Sequence, residues 1–126
     1  MSTFPDPKPG SVFYNNDRVY ACLAFAPKAE GHTVVVWKSE VPDINGLSEE
    51  EYAHLMAVVF RIRSVLMKAY ETDKVYMAYL DEARHVHWHL FPRASGGEMG
   101  FSLLNQPSGE LTDLSRIPQL QALLAG

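Results

Sequence analysis

The sequence has one cysteine, Cys22, and no excess of positive charge. A single cysteine excludes an intramolecular disulfide framework and any zinc site built from several cysteines. The 11 lysines and arginines stand against 15 aspartates and glutamates, which gives a formal net charge of −4. The chain therefore lacks the basic surface that binding to a nucleic-acid backbone requires, and we do not expect a DNA- or RNA-binding protein.

Long apolar runs are also missing from the sequence. No stretch approaches the roughly 18 uninterrupted apolar residues of a membrane span, and residues 1–10 lack the pattern of a signal peptide. Three prolines in that segment predict a flexible N-terminal arm over residues 1–10. The chain is 47% hydrophobic, so we expect residues 11–126 to form a single domain of a cytoplasmic protein.

Local sequence patterns predict five strands and two helices. Ser48 and Glu51 have the spacing of a capping box ahead of a helical apolar series, which predicts one long helix over residues 49–69. A shorter C-terminal helix is predicted within residues 114–124. Segments rich in β-branched and aromatic residues predict the strands, which are 12–14, 18–25, 32–37, 74–80 and 85–91.

Three of the five histidines lie in the pentapeptide 85–89, where His85, His87 and His89 alternate with apolar residues. Successive side chains of a strand point to opposite faces, so the three imidazoles should share one face. A slip of one residue would bury them, which fixes the register of the strand. Because histidine is a costly residue for a strand face unless its nitrogens are used, the pattern indicates chemistry.

Spacing alone leaves two kinds of chemistry open. The three imidazoles could bind a metal ion, with His32 as a fourth ligand. One imidazole could equally act as a nucleophile, because a neutral ring nitrogen attacks without a metal when an acceptor holds the other nitrogen. The residue pattern does not separate these two interpretations.

Residues 12–93 resemble the histidine-triad proteins. The signature is the run His-Val-His-Trp-His-Leu-Phe at residues 85–91. Gly31-His32 and the apolar strand after it resemble the Gly-His strand of that family, and Phe91-Pro92-Arg93 resembles its exit from the triad strand. The resemblance implies an α+β fold: a mostly antiparallel sheet of about five strands, one long helix and a shorter C-terminal helix. It also implies a homodimer.

The resemblance further implies a reaction. In such proteins the middle histidine attacks the α-phosphorus of a nucleotide, and water hydrolyses the covalent nucleotidyl-histidine intermediate. Carried over by position, His87 is the nucleophile and His89 donates to the phosphate oxygens or the leaving group, while His85 and His32 complete the cluster. The expected substrates are nucleoside phosphoramidates or dinucleoside polyphosphates. No resident metal or cofactor is implied, apart from Mg²⁺ that a polyphosphate substrate carries.

The chain departs from the family pattern in two places. Relatives carry Asp or Asn near the end of the second strand to bind the ribose hydroxyls, whereas Ala24 or Phe25 occupies that position here, so this contact should be absent. The Gly-rich loop before the triad is replaced by residues 81–84, in which Arg84 is a candidate phosphate contact. Phe13 is a candidate for the wall of a base pocket.

These departures keep two further functions open. The chain could be a nucleotide-binding or interaction module that has kept the histidines with weak turnover. It could also be a metal-dependent hydrolase in which the three histidines are ligands. The base, the leaving group and the oligomeric state are not contained in the sequence pattern.

Overall fold

The computed structural model describes residues 4–126. Residues 1–3 of the predicted N-terminal arm lie outside the described residues. Five strands form one antiparallel sheet in the order β1-β2-β3-β5-β4. The strands are β1 (Val12–Asn15), β2 (Val19–Leu23), β3 (Thr33–Trp37), β4 (Val75–Tyr79) and β5 (His87–Pro92). The predicted α+β fold with a five-stranded antiparallel sheet is confirmed.

One long helix covers a single face of this sheet. Helix α1 has the predicted bounds, Glu49–Ala69, and begins with a complete capping box between Ser48 and Glu51. The C-terminal helix packs against α1 and β1. The remaining elements are a 3-10 turn (Ile44–Gly46), the short helix α2 (Phe101–Leu104) and the C-terminal helix α3 (Ile117–Ala125). No helix among residues 4–126 is long and apolar enough to cross a membrane.

The main core lies between the sheet and α1. Val35 and Leu90 of the central strands meet Leu55, Ile62 and Leu66 of the helix, and all five are fully buried. The opposite face of the sheet carries smaller buried side chains, which are Cys22, Ala24, Val34 and Val36. Phe4 and Tyr20 pack on these side chains, and a cavity lies beside them on the same face.

The histidine segment differs in one detail from the prediction. The predicted strand begins at His85, whereas β5 begins at His87. The backbone N–H of Val86 donates to the carbonyl of Val41 at 2.9 Å, and its carbonyl accepts from Trp37 at 3.1 Å. The chain therefore joins the sheet along β3 before it pairs with β4. The alternation still holds, because Val86 lies in the core on the helix side.

Candidate active site

Two adjacent central strands bring the histidines together on the face of the sheet opposite α1. Strand β5 carries His87 and His89, which pair across the ladder with Val36 and Val34 of β3. His32 lies at the entrance to β3, beside His89. The antiparallel register therefore places side chains far apart in sequence in one cluster, as the sequence predicted.

His87 is held in one tautomer by the backbone. Its Nδ1 lies 2.6 Å from the carbonyl oxygen of His85, and because a carbonyl can only accept, this nitrogen carries the proton. His85 is fixed in turn, since its Nε2 donates to the carbonyl of Trp37 at 2.6 Å. In neutral His87 the Nε2 atom therefore keeps its lone pair, as a nucleophilic nitrogen requires.

The other two rings continue this chain of hydrogen bonds. The amide of Lys28 donates to Nδ1 of His32 at 3.1 Å, so neutral His32 carries its proton on Nε2. That nitrogen donates to Nδ1 of His89 at 3.0 Å, and Nε2 of His89 then donates to Nε2 of His87 at 3.2 Å. In this chain each N–H group faces an acceptor, which requires that His32, His87 and His89 are all neutral.

Burial keeps the three rings neutral near pH 7. Desolvation lowers the pKa of His32 to about 3, with further lowering from His89 and Lys28. Desolvation lowers the pKa of His89 to about 4, with further lowering from His87 and Lys28. The pKa of His87 is also lowered by burial, although its hydrogen bond to the His85 carbonyl opposes the shift. His87 is therefore neutral at pH 7.

We expect mild acid to destabilise the folded protein through this cluster. Between an ordinary histidine pKa of 6.5 and the lowered pKa values of His32 and His89, the unfolded chain binds protons that the folded chain does not. The free energy of unfolding should fall from pH 6.5 to 5 by up to about 1.4 kcal/mol per pH unit for each histidine. Urea unfolding of the wild type and of His32→Gln across this range measures the effect.

A histidine outside the cluster provides the control for this prediction. His54 lies in α1, where its Nε2 is 3.3 Å from the amide of Asn16. The His54→Gln variant leaves the cluster intact and should show a steeper pH dependence than His32→Gln, which lacks one of the two strongly shifted histidines. Equal slopes in the wild type and in His32→Gln would contradict the assigned neutral state of His32.

An apolar cavity opens beside His89 and His32. Its volume is about 230 Å³. Its walls come from β2, from β3, from the loop after β2 and from the N-terminal arm; they are Phe4, Pro5, Asp6, Pro7, Tyr20, Cys22, Ala24, Phe25, Ala26, His32, Val34 and His89. Phe25 is 64% exposed at this cavity, which makes its ring available for stacking. The cavity is suited to a planar apolar group attached to a polar one.

The N-terminal arm lies directly on the cluster. The ring of Phe4 stacks on His85, with centroids 5.1 Å apart, and contacts His87 at 4.6 Å. Sequence reasoning missed this contact, because an arm with three prolines in ten residues has no periodic pattern that could place it. The flexibility predicted for the arm stays a prediction.

The two predicted substrate-binding residues are not brought into the cluster. Phe13 was a wrong choice for the pocket wall, because it is 5% exposed in the main core on the helix side of the sheet. Arg84 is exposed in the turn before His85, in a left-handed backbone conformation with φ of 55°. Lys28 is the cation whose charge acts on His32 and His89, and the sequence analysis did not select it.

The imidazoles bind to one another rather than converging on a common point. Within residues 4–126, no group of three or more histidine, cysteine, aspartate or glutamate side chains is arranged to hold a metal ion. Cys22 lines the cavity, but burial raises the pKa of its thiol to about 12, against a smaller lowering by a hydrogen bond from Ser11. The Cys22 thiol therefore stays protonated near pH 7 and is not a nucleophile there.

The fold and the site define an α+β protein with a hydrogen-bonded histidine cluster on an open antiparallel sheet. Residues 6–96 match the HIT domain. The chain belongs to the HIT domain family, and the resemblance to histidine-triad proteins is confirmed.

Known proteins show the extent of this similarity. Bis(5'-adenosyl)-triphosphatase of Dictyostelium discoideum is 30% identical over 88 residues, which cover 65% of this chain and 59% of that protein. The chain covers 59% of the length of this relative and 20% of the length of another curated relative that it matches. Both solved structures compared below have a similar fold.

One solved structure is a Hit-like protein from Bartonella henselae, with a TM-score of 0.75 and 23% identity. The match covers 92% of this chain and 88% of that one. The second is a zinc-bound histidine triad family protein from Mycobacterium smegmatis, with a TM-score of 0.72 and 25% identity. That match covers 90% of this chain and 83% of the other.

Proposed function

We propose that the chain hydrolyses nucleoside phosphoramidates or dinucleoside polyphosphates through a covalent nucleotidyl intermediate on His87. The observation that carries the proposal is the 2.6 Å hydrogen bond from Nδ1 of His87 to the carbonyl of His85. It fixes the tautomer in which Nε2 is the nucleophile and stabilises the positive charge that the ring acquires on attack. The relative from Dictyostelium, named as a triphosphatase, supports the substrate class.

The first step transfers the nucleotidyl group to the protein. Nε2 of His87 forms a bond to the α-phosphorus while the bond from phosphorus to the leaving group breaks. His89 donates its Nε2 proton as a hydrogen bond to His87 in the structure, and in the complex it turns this donor to an oxygen on phosphorus or to the leaving group. A polyphosphate leaves as the anion, whereas an amine leaves as the neutral molecule because its nitrogen takes up one proton from solvent water, and the second step returns a proton to solvent.

The second step restores the protein. Water attacks the phosphorus, the bond to Nε2 of His87 breaks, and the nucleoside monophosphate leaves. The water proton passes to the product or to solvent, and His87 returns to the neutral form with its proton still on Nδ1. The hydrogen bond to His85 is therefore kept through the whole cycle.

The cavity and Lys28 supply the binding contacts in this proposal. The base lies in the apolar cavity beside His89, where Phe25 offers a ring for stacking. The phosphates lie over the cluster near Lys28, whose ammonium group is held by the carbonyl of Gln106 at 2.9 Å. The homodimer and the cytoplasmic location stay predictions.

Product release from two substrates tests the proposal. Diadenosine triphosphate and an adenosine phosphoramidate are incubated separately with the purified protein, and adenosine monophosphate is measured. Formation of the monophosphate from at least one of them is the expected result. Tight binding of both nucleotides without product would instead favour the binding module with weak turnover.

We expect turnover of the phosphoramidate to survive removal of metal ions. The histidine nitrogens are occupied by one another and by backbone groups, so the reaction needs no metal ligand set. Dialysis against a strong chelator should change kcat by less than about 2-fold, a difference well below 1 kcal/mol in the barrier. The phosphoramidate is used because it carries no polyphosphate-bound Mg²⁺.

The same experiment decides the metal-dependent alternative. Metal content is measured before and after dialysis, and zinc is then added back in stoichiometric amount. Loss of activity on dialysis together with recovery on addition of zinc would contradict direct attack by His87 and support histidines acting as metal ligands.

A further inference from the structure

The N-terminal arm is attached to the domain on both sides of Asp6. On one side, the ring of Phe4 packs on His85 and His87. On the other side, the carbonyl of Lys8 accepts from the Ser11 hydroxyl at 2.6 Å and from the Ser11 amide at 3.0 Å, and the Lys8 ammonium group donates to the carbonyl of Leu111. Residues 5–7 therefore span the cavity between two fixed ends.

The residues next to Asp6 restrict its backbone further. Pro5 and Pro7 each fix their own φ angle, and Pro7 also restrains Asp6 toward an extended conformation. Asp6 and both prolines line the cavity that His89 and His32 border. The arm thus places one carboxylate, that of Asp6, at the cavity wall.

Asp6 provides the carboxylate among the residues that line this cavity. Its side chain is exposed and makes no hydrogen bond or ion pair with the described part of the chain, residues 4–126. The pKa of the nearby Tyr20 hydroxyl is raised to about 12, mainly by burial and additionally by electrostatic interaction with Cys22 and Asp6. The Asp6 carboxylate is therefore an available hydrogen-bond acceptor at the wall of a mainly apolar cavity.

A nucleoside has the groups that match this arrangement. Its base is planar and apolar on both faces, and its ribose carries two adjacent hydroxyls that a carboxylate can accept. The end of β2, where the strand faces the same cavity, offers only Ala24 and the Phe25 ring to a sugar. Asp6 on the arm is thus placed to accept hydrogen bonds from the ribose hydroxyls of the ligand.

We propose that Asp6 is a specificity-determining residue that binds the vicinal hydroxyls of the substrate's ribose, so that the N-terminal arm forms part of the nucleoside site. This inference rests on the proposed function and adds a substrate contact to it. According to this proposal, the arm rather than the sheet selects ribonucleosides over nucleosides whose sugar lacks the diol.

Kinetic discrimination between two sugars tests the assignment. The substrates are adenosine phosphoramidate and its 2′,3′-dideoxy counterpart, and the proteins are the wild type, Asp6→Ala and Asp17→Ala. Asp17 is an exposed aspartate in the turn between β1 and β2, away from the cavity walls, and serves as the matched control. The quantity compared is the ratio of kcat/KM values for the two sugars.

The wild type and Asp17→Ala should prefer the ribose substrate by roughly 10- to 100-fold, the range that charge-assisted hydrogen bonds provide. In Asp6→Ala this preference should fall close to 1, because both substrates then lack the contact. A preference in Asp6→Ala equal to that of the wild type would overturn the assignment.

Failure of the proposed hydrolysis is recognised separately. If the wild type turns over neither substrate, calorimetric binding of adenosine monophosphate and 2′,3′-dideoxyadenosine monophosphate replaces kinetics. A preference for the ribose form that is lost in Asp6→Ala supports the role of Asp6 even without hydrolysis. Equal binding of both nucleotides by the wild type would overturn it.

Discussion

Replacing His87 by Ala should abolish hydrolysis while leaving the fold intact. The substitution removes the Nε2 atom that we propose attacks phosphorus, together with the Nδ1 donor to the His85 carbonyl, and no other described imidazole has the same tautomer held by its own backbone segment. Loss of a nucleophile of this kind costs roughly 10⁴- to 10⁶-fold in kcat. Release of adenosine monophosphate from an adenosine phosphoramidate measures the loss, and thermal unfolding followed by circular dichroism monitors the fold.

A histidine on the helix side provides the control for this variant. His54→Ala removes the same side chain from α1, where it contacts Trp37 and Asn16 rather than the cluster. It should retain wild-type kcat within about 3-fold, since that change is below 1 kcal/mol in the barrier. Turnover by His87→Ala at a rate comparable to that of His54→Ala would exclude His87 as the nucleophile.

Replacing Gly31 by Ala should cause the largest loss of stability of the substitutions considered. Gly31 has φ of +83°, and an added Cβ would lie 2.8 Å from two ring atoms of Tyr70 and 3.1 Å from Pro92. Arg116 lies over the Tyr70 ring, 4.8 Å from its centroid, and restricts how far the ring can move. The left-handed backbone and the overpacking together predict a loss of about 2–5 kcal/mol in the free energy of unfolding.

Gly96 separates the two causes of this loss. It has a similar φ of +74°, but an added Cβ would meet nothing within 4 Å. Gly96→Ala should therefore lose only the backbone part, about 1–2 kcal/mol. Chemical denaturation of both variants measures the difference. If Gly31→Ala is no less stable than Gly96→Ala, the close contact with Tyr70 does not limit this position.

The period of two along the histidine strand explains why the cluster could be predicted. It puts His85, His87 and His89 on one side and Val86 and Leu90 in the core, and burial of the apolar side leaves one register. The bounds of α1 could also be predicted, because Ser48 and Glu51 form the capping box that their spacing indicates. Both patterns involve residues that are close together in the chain, so they can be recognised from a single sequence.

Phe13 shows what a local pattern leaves undecided. Alternation along β1 gives two faces but does not say which of them meets the helix, and a bulge shifts the register between Val12 and Tyr14. The face is set by pairing of β1 with β2 and by packing against α3. These contacts join segments that are distant in sequence, so Phe13 was wrongly assigned to the ligand pocket.

Asp6 and Lys28 were missed for a related reason. Both lie outside regular elements, where no periodicity fixes the direction of a side chain. The arm is placed by the stacking of Phe4 on His85 and by the hydrogen bonds at Lys8. Only the folded structure therefore shows that a proline-rich arm lines the cavity and contacts His85.

Intact-mass analysis of the protein during turnover tests nucleotidyl transfer to His87 most directly. The wild type, His87→Ala and His89→Ala are mixed briefly with an adenosine phosphoramidate and denatured at alkaline pH, because the bond from phosphorus to imidazole is labile in acid. We predict one added adenosine monophosphoryl group in the wild type or in His89→Ala, mapped to the peptide that contains His87, and none in His87→Ala. Release of adenosine monophosphate with no adduct on any of the three proteins, or an adduct that persists in His87→Ala, would contradict the account.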